Sequence, residues 1–229
     1  LGVGLGYVEK ELEAFGTNRA ERVSRLEESI ALMKELWTGE EVNHEGRHWT
    51  VRGGRVGITP VQKPHPPIWL AAQSRGAVRR AAAIADACLL GPQPNWEDID
   101  KLSDMYWEAI AERPGKTGRL AANRSISVAR DRETAVSEAV AAGEAKAGLY
   151  TNFKMQESTT VDFGLGGARD LADWAIVGRP QDCAETIARS RRENGIEHFG
   201  FAALNLPKGK SARLEYLQLV SEELLPLLP

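Results

Sequence analysis

Gln73, Ser74, Arg75 and Gly76 follow the apolar run Ile68-Trp69-Leu70-Ala71-Ala72 and open a stretch with helical spacing. A turn of this kind gathers free backbone N–H groups, a hydroxyl and a guanidinium at the positive end of a helix, where a phosphate group is held. The same residues also read as a plain serine cap followed by a surface arginine. Arg79 and Arg80, one turn further on, read as solvated. The second candidate is Gly4-Leu5-Gly6-Tyr7, where glycines allow a ligand or a neighbouring backbone to approach closely. A tightly packed strand explains that pattern equally well. Trp69 is either core or pocket wall, and Tyr150, Asn152 and Phe153 begin an aperiodic stretch that either closes over a substrate or merely connects. His44, His48, His65 and His198 have neither metal-ligand spacing nor a nucleophile beside them in sequence, and read as structural or exposed.

These residues need a frame. Leu1 to Tyr7 reads as a strand entering a glycine-bearing loop. Val23, Leu26, Ile30, Met33 and Trp37 share one face of a helix. Residues 42–58 read as a hairpin excursion around Gly53-Gly54, and Pro64-His65-Pro66-Pro67 forces extended chain into the strand Ile68–Ala72. Ser74 caps the next helix, whose alanines suit close packing on a sheet. Ala87–Leu90 is a third strand, Asn95 caps a helix stopped by Pro114-Gly115, and Ser125–Ala129 is a fourth strand. An alanine-rich helix from Asp131 leads to a long loop, 149–173, a possible lid. Pro180 begins a helix that Asn194-Gly195 ends. Arg179 stands at its N-cap, where a cation opposes the helix dipole, so either an anion binds there or a surface arginine is tolerated. His198–Ala203 is the fifth strand, and Leu214, Leu217, Val220 and Leu224 mark a closing helix. Strands buried on both faces and alternating with helices predict a single parallel α/β domain over 1–229, either a barrel or a doubly wound sheet. A closed barrel needs eight strands, so three are unaccounted for.

Composition narrows the function. The 229 residues are 42% hydrophobic and 27% charged, enough for one core, and the net charge of -3 offers no basic excess for nucleic acid. No apolar stretch reaches the roughly 20 residues of a membrane span. Cys88 and Cys183 form no CxxC pair and read as buried thiols of a reduced, cytoplasmic protein.

Leu1 to Tyr7, Glu11 through Phe15-Gly16, Glu21-Arg22 and Leu26-Glu27-Glu28 up to Leu36-Trp37 resemble the fourth strand and helix of the bacterial-luciferase-like flavin oxidoreductases. Pro60 to Trp69 with Ser74, Ala81-Ala82 and Ala85-Asp86 is similar to their fifth strand and phosphate loop. Ile176-Val177-Gly178-Arg179-Pro180, Gly195-Ile196 and His198-Phe199 resemble their last helix and eighth strand. The resemblance implies a (β/α)8 TIM-like barrel of luciferase-like type, incomplete here with about five of eight strands, and a catalytic base in strands upstream of Leu1. It implies a monooxygenase that takes reduced FMN from a separate flavin reductase and uses O2 to oxidise a small organic substrate. The alternatives are a coenzyme F420-dependent oxidoreductase transferring hydride, whose anionic tail either Arg79 or Arg80 could meet, and a non-catalytic flavin-binding remnant. Gln73, Ser74, Arg75 and Gly76 would then hold the phosphate, Gly4, Leu5, Gly6 and Tyr7 would line the flavin pocket, and Trp69, Tyr150 and Phe153 the substrate pocket. Glu11 and Arg22 would form an ion pair bracing the loop near the mouth. The light-emitting members carry cysteine in place of Gly4 and arginine in place of Leu5, which argues against bioluminescence. A homodimer or higher homo-oligomer is expected, and if the natural chain begins at Leu1 the incomplete barrel would expose strand edges that partner chains would have to cover.

Overall fold

A computed structural model describes residues 1–92, 94–152 and 171–229. Six strands form one all-parallel sheet: β1 (Gly2–Val3), β4 (Trp69–Ala72), β5 (Ala87–Leu90), β6 (Leu120–Val128), β7 (Ala175–Gly178) and β8 (Ile196–Ala203). The five strands expected from apolar runs are all present. β7, the sixth, was hidden in sequence because its four residues adjoin the helix-starting Arg179-Pro180.

The centre of the sheet is β6. One of its edges pairs with β5 through Leu120–Ala122 and then with β7 through Ser125–Val128, so two short strands lie end to end along it. The other edge pairs with β8 over Leu120–Ile126. β6 begins five residues before the expected start at Ser125. The charge of Arg124 broke the apolar pattern, yet that side chain is wholly buried.

Alternation along the strands sends Leu70, Ala72, Leu90, Leu120 and Ala122 into one core with the helices α2 (Arg22–Leu36), α3 (Arg75–Ile84) and α4 (Trp96–Ala111). A second core joins Ile126, Val128 and Ile176 to α7 (Pro180–Asn194) and to Leu219 and Leu224. The closing helix departs from its expected face. α8 (Lys210–Gln218) leaves Leu214 and Leu217 about half exposed, and the chain then widens into a π-turn over Leu219–Leu224. An i to i+5 repeat puts Leu219 and Leu224, five apart, on the buried face instead.

The caps follow local chemistry. Asn95 Oδ1 accepts from the Asp98 amide at 2.7 Å, and α7 ends at Gly195 in the left-handed conformation, φ 69°. At Arg179 the carboxylate of Asp182, three residues on, accepts from the backbone N–H at 3.0 Å and from the guanidinium at 3.1 Å. The chain's own acid therefore supplies the negative charge that the helix dipole favours.

Residues 149–152, expected as the start of a loop, belong to α5 (Arg132–Asn152), and 171–173 belong to α6 (Leu171–Trp174). The alanine-rich helix runs on past the point where its apolar periodicity fades. The intervening part of 149–173 lies outside the described residues.

β2 (Val42–Glu45) and β3 (Thr50–Gly54) form an antiparallel pair docked on α2 by Glu28. That carboxylate accepts from the amides of His48 at 3.0 Å and Trp49 at 2.8 Å, with His44 Nε2 at 3.3 Å. Burial alone would raise its pKa; the two amides and the imidazole outweigh burial and hold it below the ordinary 4.5. A depressed folded-state pKa stabilises above the unfolded value and loses that contribution as pH falls through the folded one. Denaturation midpoints are therefore expected to fall below pH 4.5, and Glu28→Gln to flatten that part of the profile. An identical acid limb in the variant would exclude Glu28 as the source.

Candidate functional site

The sheet is curved. β4 and β8 are separated by β5 and β6, which in a flat sheet would place them about 14 Å apart, three inter-strand spacings. The Trp69 and His198 rings nevertheless meet edge to face with centroids 5.2 Å apart. Two side chains can touch across two intervening strands only if the sheet bends towards them, so the face opposite α2, α3, α4 and α7 is concave. Trp69 lies three residues before the end of β4, and the pair forms a floor below the C-terminal rim. Above it the concave face carries Gly4, Ala71, Ala121, Asn123 and Gly200; a Cβ on Gly4 would stand 3.8 Å from that of Ala71.

At the rim, Ser74 takes extended geometry (φ -144°, ψ 160°) and its Oγ accepts from the Ala77 amide at 3.4 Å. The amides of Arg75 and Gly76, in the first turn of α3, have no acceptor within the helix. Both residues are exposed, and a Cβ on Gly76 would meet nothing within 4 Å. Gln73 is half-buried and lays its carboxamide on Gly91, just beyond the end of β5.

β1 runs parallel to β4, so the loop that leaves it emerges at the same rim. Gly6 is left-handed, φ 70°, and its carbonyl accepts from Arg22 at 2.9 Å. Among the described residues Arg22 makes no ion pair with Glu11; the turn at Gly6 presents a carbonyl that the guanidinium takes instead. Burial lowers the Arg22 pKa, and the neighbouring charges of Arg19 and Arg80 add to it. Arg80 itself is bonded to Glu27 at 2.7 Å. Leu5 is half-buried and Tyr7 is 45% exposed at this rim.

The structure thus brings Gln73, Ser74, Arg75 and Gly76 to one edge with Gly4, Leu5, Gly6 and Tyr7, and sets Trp69 deeper. Tyr150 falls in α5, and Phe153 lies outside the described residues. Cys88 and Cys183 are buried, which pushes both thiols up to about 12 and leaves neither as a nucleophile. Sequence reasoning missed the placement of His198 and Asn123 on the concave face. Their positions depend on pairing between β6 and β8, far apart in the chain, and no local signal carries that register.

The sequence pattern of the luciferase-like monooxygenases matches residues 1–198. Among solved structures, a monooxygenase from Streptomyces bottropensis aligns with a TM-score of 0.74 at 24% identity, over 99% of this chain and 68% of that one. The oxygenating constituent of 3,6-diketocamphane monooxygenase from Pseudomonas putida, in complex with FMN, aligns at 0.78 and 18% identity, over 100% and 71%. The coenzyme F420-dependent tetrahydromethanopterin reductase of Methanopyrus kandleri aligns at 0.70 and 16%, over 100% and 74%. At these identities the likeness is one of fold: this curved parallel sheet is an arc of the same barrel.

Proposed function

The chain belongs to the luciferase-like monooxygenase family, and from that premise we propose that it binds reduced FMN at the rim of its curved sheet and serves to oxidise a small organic substrate with O2. The observation that carries this reading is the first turn of α3: two exposed residues whose amides have no acceptor within the helix, a serine hydroxyl and the Arg75 guanidinium at the C-terminal end of a parallel strand. That is the usual place for a ligand in such a barrel. Bound flavin supplies the redox chemistry; the protein orients it and keeps water away. Arg75 and the Arg75 and Gly76 amides hold the phosphate. Gly4 and Ala71 leave a flat bed for the ring, while Trp69 and His198 close the floor beneath it. The reduced coenzyme comes from a separate flavin reductase, and the setting is cytoplasmic. β1 and β8 each have one edge with no strand partner among the described residues, where the remaining strands of a closed barrel would pair, and the whole barrel is assigned to a homodimer or larger homo-oligomer.

A second reading is hydride transfer with coenzyme F420. It is favoured by Arg22, Arg19 and Arg80 lying close together beyond the phosphate turn, where an anionic tail would run. Titration of the purified protein with FMN and with F420, followed by fluorescence, separates the two. FMN is expected to bind more tightly. Preference for F420 would replace the first reading with the second, and binding of neither would end both.

A further inference from the structure

Across four neighbouring strands the rim shows an alternation that no local motif announces. Gln73, Gly91, Asn123 and Gly200 occupy one transverse row: Asn123 pairs with Gly200, and the other two stand one residue beyond Ala72↔Leu90 and Leu90↔Ala122. Each carboxamide lies on the glycine of the next strand. A methyl on Gly91 would overlap Gln73 Nε2, and one on Gly200 would overlap Asn123 Oδ1. Ala122 and Arg124 face the helices, so Asn123 faces the concave side. It is exposed there, and no protein group among the described residues bonds its side chain.

A carboxamide offers one acceptor and two donors in a plane. Its complement is a planar edge carrying an N–H beside a carbonyl, with which it makes two parallel hydrogen bonds, as Asn and Gln do with adenine. The surrounding face is apolar or small, formed by Trp69, Ala71, Leu89 and Ala121, and suits a flat uncharged ring. Asn123 stands two strands, about 10 Å, from Gln73, and Gln73 adjoins the anion-holding turn at Ser74. The concave face therefore has a charged anchor at one end and a neutral donor–acceptor reader at the other.

We propose that Asn123, seated on Gly200, is the side chain that recognises the imide edge of the coenzyme ring. This rests on the flavin-type reading above, and flavin and deazaflavin share that edge. Wild type, Asn123→Ala, Gly200→Ala and the double variant would be titrated with FMN, with FMN methylated at the imide nitrogen, and with F420. Wild type is expected to prefer FMN over the methylated form about tenfold, the scale of two neutral hydrogen bonds, and Asn123→Ala to bind both alike. Gly200→Ala should reproduce the loss by displacing an intact carboxamide, and the double variant should lose nothing more. The F420 arm identifies which ring system is read. If wild type binds but Asn123→Ala keeps its affinity or its discrimination, the assignment fails while the coenzyme reading survives. If wild type binds neither coenzyme, the coenzyme reading fails and takes the assignment with it.

Discussion

Ser74→Ala combined with Arg75→Ala is expected to weaken FMN binding by about 2–4 kcal/mol, the scale of two charge-assisted hydrogen bonds, or roughly 30- to 700-fold in Kd. The two residues contribute differently. Arg75 is exposed at the first position of α3, so its removal should cost affinity and leave stability unchanged. Ser74 also caps the helix through a long bond to Ala77, and its loss should cost about 1 kcal/mol of stability as well. Fluorescence titration of each variant, beside urea denaturation, separates the effects. A double variant that titrates with FMN as wild type does would remove the phosphate from this turn.

Arg124→Met is expected to destabilise the fold by about 2–5 kcal/mol. The Arg124 guanidinium donates to the Pro94 carbonyl at 2.6 Å and to the Trp174 carbonyl, and lies 4.2 Å from the centre of the Trp96 ring. Two charge-assisted bonds at about 1.5–3 kcal/mol each and a desolvated cation–π contact near 2 kcal/mol stabilise the arrangement. Against them stands burial, which lowers the guanidinium pKa to about 10, an opposing effect of about 3 kcal/mol. The bonds prevail because methionine fills the space but leaves two buried carbonyls without donors. At about 2–4 °C per kcal/mol for a chain of this length, the melting temperature should drop by about 4–20 °C. An unaltered melting curve would show that the two carbonyls find other partners.

Whatever rests on neighbours in sequence was readable in advance. Ser74, Asn95 and the Pro180 to Gly195 boundaries were legible because a cap is a contact between residues three or four apart. Apolar runs located three of the six sheet strands, β4, β5 and β8, to within two residues. Arg124 hid the first half of β6, since a charge inside a strand normally signals exposure, and only the fold reveals that Pro94 and Trp174 come to meet it. The concave face was less legible still. Asn123 and Gly200 are 77 positions apart, and nothing in either residue announces the other until β6 and β8 are paired. The family likeness supplied the barrel; it did not supply this register.

The way β5 and β7 share one side of β6 has a consequence for how the molecule comes apart. Between Ala122 and Ser125 that side of β6 meets the gap between two strand ends, and the Arg124 side chain bridges it. Below the gap, β6 is embedded with α3 and α4; above it, with α7 and the terminal turns. A single strand is thus rooted in two interiors joined through Trp96 and Phe199, which pack against both. Partial opening is expected to begin at this gap, with amides of α3 and α7 showing two distinct levels of hydrogen-exchange protection; a single common level would mean that the two parts melt together.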